Sequence, residues 1–206
     1  VNAGHMERGV GMVDPTTIWI DPTVEIAADV AIEPNVMISG TTTIGARSRI
    51  ESGSRIHQSQ IGAGCTIRSS DISESRLHDD VEVGPFAHIR PGCDIGAGAH
   101  VGNYAELKAT TLGVRVKVGH HSYLGDTTVG EAANIGAGTI TANYDGVAKH
   151  ATSIGAGAFT GIGTLIVAPV KMGSKSKTGA GTVLLEDLPD GALAVGVPAR
   201  VITRKG

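Results

Sequence analysis

The chain is short of aromatic residues: one Trp, three Tyr and two Phe, or 3% of 206 positions. Few rings are available to fill a wide globular core, so any core must be narrow and aliphatic. It is also short of cysteine. Cys65 and Cys93 are the only two, and their spacing matches no metal or redox motif. Both read as small packed thiols. Positive charge is not in excess, since 17 Lys and Arg stand against 20 Asp and Glu for a net −3. No basic field points to nucleic acid or to an anionic membrane. No apolar run is long enough to span a bilayer, and no signal peptide opens the chain. A cytoplasmic location is expected. The first residue is Val1 rather than Met, which reads as a piece of a longer protein.

What the chain does have is glycine, 30 residues of it, and a repeat. An aliphatic residue opens units of six at Ile20, Ile26, Ile32, Ile38, Ile44, Ile50 and Ile56. The register resumes from Leu77 through Leu107, continues from Leu112 to Ile135, and returns from Ile154 to Leu184. The second place is often Gly, as in Ile95-Gly96 and Val129-Gly130. The fifth is small or β-branched: Val24, Val30, Val36, Cys65, Ala87, Cys93, Ala99 and Ala105. A period of six does not fit an amphipathic helix. It fits an all-β solenoid, in which each unit is a short strand followed by a tight turn and three units close one coil. Openers then point inward and stack on their counterparts about 4.8 Å away.

Residues about eighteen apart therefore lie one above another. Arg90 and Lys108 are so spaced, each directly after an opener. Two cations that close are unfavourable unless an anion lies between them. With Lys149 they form a candidate phosphate clamp, in which Arg supplies bidentate contacts and Lys a point charge. The alternative is three solvated surface cations. His120 falls above Asn103. His120 and His121 are adjacent, and strand geometry predicts that they point to opposite faces. His120 is the candidate general base, against the alternative of a satisfied polar residue. Tyr123, Asn134, Asn143 and Tyr144 complete the polar set. Residues 142–153 interrupt the repeat, and a long excursion from a regular scaffold is more often functional than idle. The expected organisation is a lead-in over 1–19, the solenoid over 20–188 with this loop, and a tail over 189–206.

The motifs GPFAHIRPG, VGNYAELK, GHHSYLGD, NIGAGTITANYDG and VAPVKMG occur in order between Gly84 and Gly173. With them the chain resembles the C-terminal acetyltransferase domain of the bifunctional glucosamine-1-phosphate N-acetyltransferase and N-acetylglucosamine-1-phosphate uridylyltransferase, within the hexapeptide-repeat acyltransferases. The resemblance implies a left-handed parallel β-helix, a sense that the six-residue spacing does not give and that runs against the usual crossover rule. It also implies a homotrimer with active sites between subunits, acting on acetyl-CoA and glucosamine 1-phosphate. On this resemblance Arg90, Lys108 and Lys149 contact the substrate phosphate and His120 is the base. Tyr123, Asn134 and Tyr144 hold the sugar, and Asn143 orients the base. Ala137, Ile162 and Ala180 line the coenzyme site.

Three departures accompany it. Ile162 stands where the family has Ser near the acetyl group. The tail reads GVPARVI, with Arg200 as the nearest candidate for the coenzyme-binding Arg. The nucleotide-binding domain of the uridylyl step is absent from these residues; Mg2+ is expected only for that domain, and no metal for acetyl transfer. A hexapeptide acyltransferase for another amino sugar or nucleotide sugar is the alternative. A metal enzyme of the same fold would need His88, His100 and His120 to share a repeat position, which they do not. An ice-binding or scaffolding solenoid would show a regular Thr face, and only Thr41–Thr43 hints at one.

Overall fold

A computed structural model describes residues 1–202. The chain is a left-handed parallel β-helix. Among the described residues its strands, mostly two or three residues long, form three sheets of 12, 10 and 9 strands. Successive strands pass from face to face, so each pairs with the strand three places on. Thus His88–Ile89 pairs in parallel with Glu106–Lys108, and Glu106–Lys108 with Tyr123–Gly125. We name the faces by coil order. The first holds His100–Val101, Lys117–Val118 and Asn134–Ile135. The second holds His88–Ile89, Glu106–Lys108 and Tyr123–Gly125. The third holds Asp94–Ile95, Thr111–Leu112 and Thr127–Val129.

The openers form the core. Ile32, Ile50, Ile89, Leu107 and Leu124 are fully buried, stacked along the axis with the small fifth-place residues beside them. Each such side chain contributes roughly 1.5–3 kcal/mol on leaving water, which lets a thin core hold without aromatic rings. The second-place glycines have a steric cause. A Cβ on Gly96 would lie 2.7 Å from Gly113 C, and one on Gly130 would lie 2.5 Å from Ala156 N in the next coil. Backbone stacked this closely leaves no room for a side chain.

The expected segment boundaries differ at three places. Residues 1–19 are not an irregular lead-in. Asn2–Glu7 is a helix, and Gly11–Met12 is the first strand of the longest sheet. Met12 stands at its opener place, in register with Ile32, but lies eight residues before Ile20, so the six-residue spacing does not reveal it. The excursion runs from Asn143 to Ala151, because Ile140–Ala142 and Thr152–Ile154 are strands of the second and third faces. Within it Tyr144 and Lys149 form an antiparallel bridge, which turns the chain back on itself. The tail is not separate from the solenoid. Leu193–Val195 pairs in parallel with Lys177–Thr178, and Arg200–Ile202 adds an antiparallel edge strand. The last four residues of the expected tail, 203–206, lie outside the described residues.

Candidate active site

The second face carries the cations. Ile89 is in register with Leu107, and the Arg90 N–H donates to the Leu107 carbonyl at 2.8 Å. Arg90 and Lys108 therefore stack as their spacing predicts. Each has its own carboxylate. Arg90 Nη1 donates to Glu106 Oε1 at 2.8 Å, and Lys108 Nζ to Asp126 at 3.0 and 3.3 Å. The hydrogen bond to Asp126 is the main cause that holds the Lys108 ammonium above its ordinary range. Lys149, returned by the hairpin, has its ammonium pushed down, foremost by Lys108 and more weakly by Arg90. Two carboxylates thus pair with Arg90 and Lys108, and among the described residues Lys149 has no salt bridge of its own.

Asp126 joins this group to the excursion. Its carboxylate also accepts the Asn143 amide, and its carbonyl accepts the Thr152 N–H at 3.1 Å. Burial pushes the Asp126 carboxyl up, but the hydrogen bonds from Lys108 and Asn143 outweigh it, so the acid is held below the usual range. Asn143 is 6% exposed. It is no mere turn former, because Asp145 makes that turn by accepting the N–H groups of Val147 and Ala148, each at 2.7 Å. Gly125 lies beneath. A Cβ there would meet Tyr123 Oη at 2.5 Å and Asn143 Nδ2 at 2.6 Å, so the glycine lets the phenol and the amide close over the strand. Tyr144 is 60% exposed and donates to the Gly146 carbonyl.

His120 and His121 occupy the corner between the first and second faces, not a strand. Their expected opposite directions are corrected here. His121 takes a left-handed backbone (φ 55°), and the two rings meet edge to face with centroids 5.7 Å apart. The expected position of His120 above Asn103 holds, since the His121 N–H donates to the Asn103 carbonyl. Further up the same corner stand Ala137, Ile162 and Ala180. The carbonyls of His120, Ala137 and Ile162 accept the N–H groups of Gly138, Gly163 and Gly181 at 3.0, 2.8 and 2.8 Å. Four candidate positions thus form one column beside the cationic face. Ile162 is 67% exposed there.

Two candidates stand apart. Asn134 projects from the first face, in register with Lys117 and Phe159. Arg200 lies in the last edge strand of that face, opposite Val195. One copy of the chain does not bring either to the cations. Sequence reasoning missed Glu106, Gly125 and Asp126. The spacing did not point to Asp126, because the short coil puts Gly125 rather than Asp126 in register with Lys108, and the lysine side chain makes the contact with its carboxylate.

Residues 74–109 match the bacterial transferase hexapeptide family (six repeats). The chain is 48% identical over 190 residues to the Bifunctional protein GlmU of Synechococcus elongatus, covering 92% of this chain and 42% of that protein. Against the Bifunctional protein GlmU of Streptococcus suis the values are 45% over 196 residues, 95% and 43%. The chain therefore spans less than half the length of these relatives. Its fold is similar to that of an Arabidopsis UDP-N-acetylglucosamine acyltransferase, with a TM-score of 0.79 at 13% identity over 90% of this chain and 72% of that one; at that identity the likeness concerns the fold alone. Along nearly all of its length this chain is a relative of the bifunctional GlmU proteins, built on the hexapeptide repeat of bacterial transferases.

Proposed function

We propose that this chain is an N-acetyltransferase that moves acetyl from acetyl-CoA to the amine of glucosamine 1-phosphate. The observation that carries the reading is the group of Arg90, Lys108 and Lys149, offset among the described residues by Glu106 and Asp126 alone. Cations in such contact repel, and a phosphate dianion among them turns repulsion into attraction. Arg90 fits a bidentate contact, and the two lysines supply point charge. Tyr123 and Asn143 border the group, as sugar hydroxyl partners would, and Tyr144 stands at its outer rim.

His120 takes a proton from the sugar amine as the nitrogen attacks the thioester carbonyl carbon. The C–N bond forms, a tetrahedral oxyanion is held by backbone N–H groups, and the C–S bond breaks. His120 then returns the proton to the leaving thiolate. Asn143 is the candidate polar partner of the base in the assembled site, its amide in one copy of the chain being held by Asp126. The clamp on the phosphate holds the amine in line. Ala137, Ile162 and Ala180 run up the corner from His120 and would line the coenzyme arm, with Arg200 toward its phosphates. Asn134 and Arg200 reach the site in a homotrimer, where a neighbouring copy closes the gap between faces. The parent protein would add the uridylyl step, giving UDP-N-acetylglucosamine for cell-wall and lipopolysaccharide synthesis.

A second reading keeps the chemistry and changes the acceptor to another amino sugar or nucleotide sugar. The exposed Ile162 in the corner column favours it. Thiol release from acetyl-CoA separates the two. Turnover with glucosamine 1-phosphate supports the first reading, and a folded protein with no turnover on that sugar overturns it.

A further inference from the structure

The His120 corner carries a feature that the proposed reaction leaves unused. In three successive coils its left-handed position is taken by Phe86, Tyr104 and His121, with φ of 58°, 56° and 55°. Such backbone favours Gly, Asn, Asp or His over the bulky Phe and Tyr, and the next coils of the same corner have Gly138 and Gly163 there. Burial does not explain the rings, since Phe86 is 56% and Tyr104 53% exposed. They lie on one another instead. Phe86 and Tyr104 stack at 5.5 Å and 20°, and Tyr104 and His121 at 5.1 Å and 8°. The ladder ends where His121 meets the His120 ring at 87°. Among the described residues no hydrogen bond engages the His120 ring nitrogens.

We infer that the Phe86–Tyr104–His121 ladder is a positioning device for His120, and that His121 sets the direction of the His120 ring. The inference rests on the reading of His120 as the general base. An exposed imidazole on two torsions samples several rotamers. An edge-to-face contact favours one of them, provided the contacting ring is itself fixed. His121 is fixed because it lies flat on Tyr104, which lies on Phe86. The ladder thus carries rigidity from the regular coils to a base that stands at a corner.

The test is steady-state thiol release by the full chain with acetyl-CoA and glucosamine 1-phosphate, read beside the His120 Cε1–H resonance. In His121→Ala kcat falls about tenfold or more, as a misaligned proton acceptor requires, while KM for both substrates is held. The single His120 resonance broadens or splits. His121→Phe restores most of kcat, because a flat ring suffices. Tyr104→Ala reproduces the loss and Tyr104→Phe does not, so this pair carries the test should His121→Ala fail to fold. Wild-type kcat with an unchanged His120 resonance in the alanine variants overturns the inference, and so does a loss as large in His121→Phe as in His121→Ala. Activity in His120→Ala overturns the base reading itself; an inactive His120→Ala beside a normal His121→Ala overturns the ladder alone.

Discussion

The coils below Val83 and those from Val83 to Ile154 share one core and differ on their outside. Ile50 and Ile56 below are as fully buried as Leu107 and Leu124 above. On the surface below, Arg49 pairs with Glu33 at 2.6 Å and with Glu51 at 3.5 Å, and Arg68 with Glu51 at 3.6 Å and Glu82 at 3.4 Å. Two cations there meet three carboxylates. Above, Arg90 and Lys108 meet one each, and Lys149 meets none among the described residues. The solenoid repeat is indifferent to its outward residues, so one backbone carries a cluster with carboxylates in excess and a cluster with cations in excess. The inward positions build the coil, and the outward positions and corners decide what it can bind.

The largest expected effect separates these layers. His120→Ala should abolish acetyl transfer and leave thermal unfolding unchanged. A stable variant that keeps turnover would remove the corner from the chemistry.

The next effect tests whether the core is common to both regions. Leu107→Ala and Ile50→Ala each leave a cavity in the same core, on different faces of the coil. Each is expected to cost about 2–5 kcal/mol in denaturant unfolding, with similar values for both. A cost for Ile50→Ala far below that for Leu107→Ala would mean that the upper coils fold as a unit of their own.

The smallest effect is electrostatic. The folded Asp126 carboxyl is held below its usual range. Its contribution to stability is therefore fully present above the ordinary carboxylate pKa of about 3.9 and is lost as pH falls through the depressed folded value. Asp126→Asn should lower the unfolding temperature at pH 7 and match wild type in strong acid. Arg49→Ala in the lower coils, breaking an exposed pair, is expected to cost about 0–1 kcal/mol and to leave turnover unchanged. Equal deficits for Asp126→Asn at both pH values would mean that its charge has no part in holding Lys108.

The coil itself was legible in the sequence, because a six-residue period with glycine in second place has few other solutions. The stacking of Arg90 on Lys108 was legible for the same reason. The first strand was not, since Met12, in register with Ile32, stands eight residues before Ile20 and so off the six-residue count. Nor was the meeting of His120 and His121. That contact depends on a left-handed φ at a ring-bearing residue, which strand alternation does not anticipate. The carboxylates Glu106 and Asp126 escaped notice because an acidic residue every few positions is ordinary on a solvated face. Their contacts become specific only when the coil brings residues sixteen or eighteen apart to hydrogen-bonding distance. Asn134 matched by motif and Arg200 was a candidate by position in the tail only, and one copy of the fold leaves both on another face.

The most direct test of the unbalanced cation group is the preference for a phosphorylated acceptor. It is read as kcat/KM for glucosamine 1-phosphate over that for glucosamine, in wild type and in Lys108→Ala. The expected result is a strong preference in wild type that drops at least about tenfold in the variant, as loss of one charged hydrogen bond implies, with turnover of glucosamine held. An unchanged ratio, or an equal loss on both sugars, would contradict it.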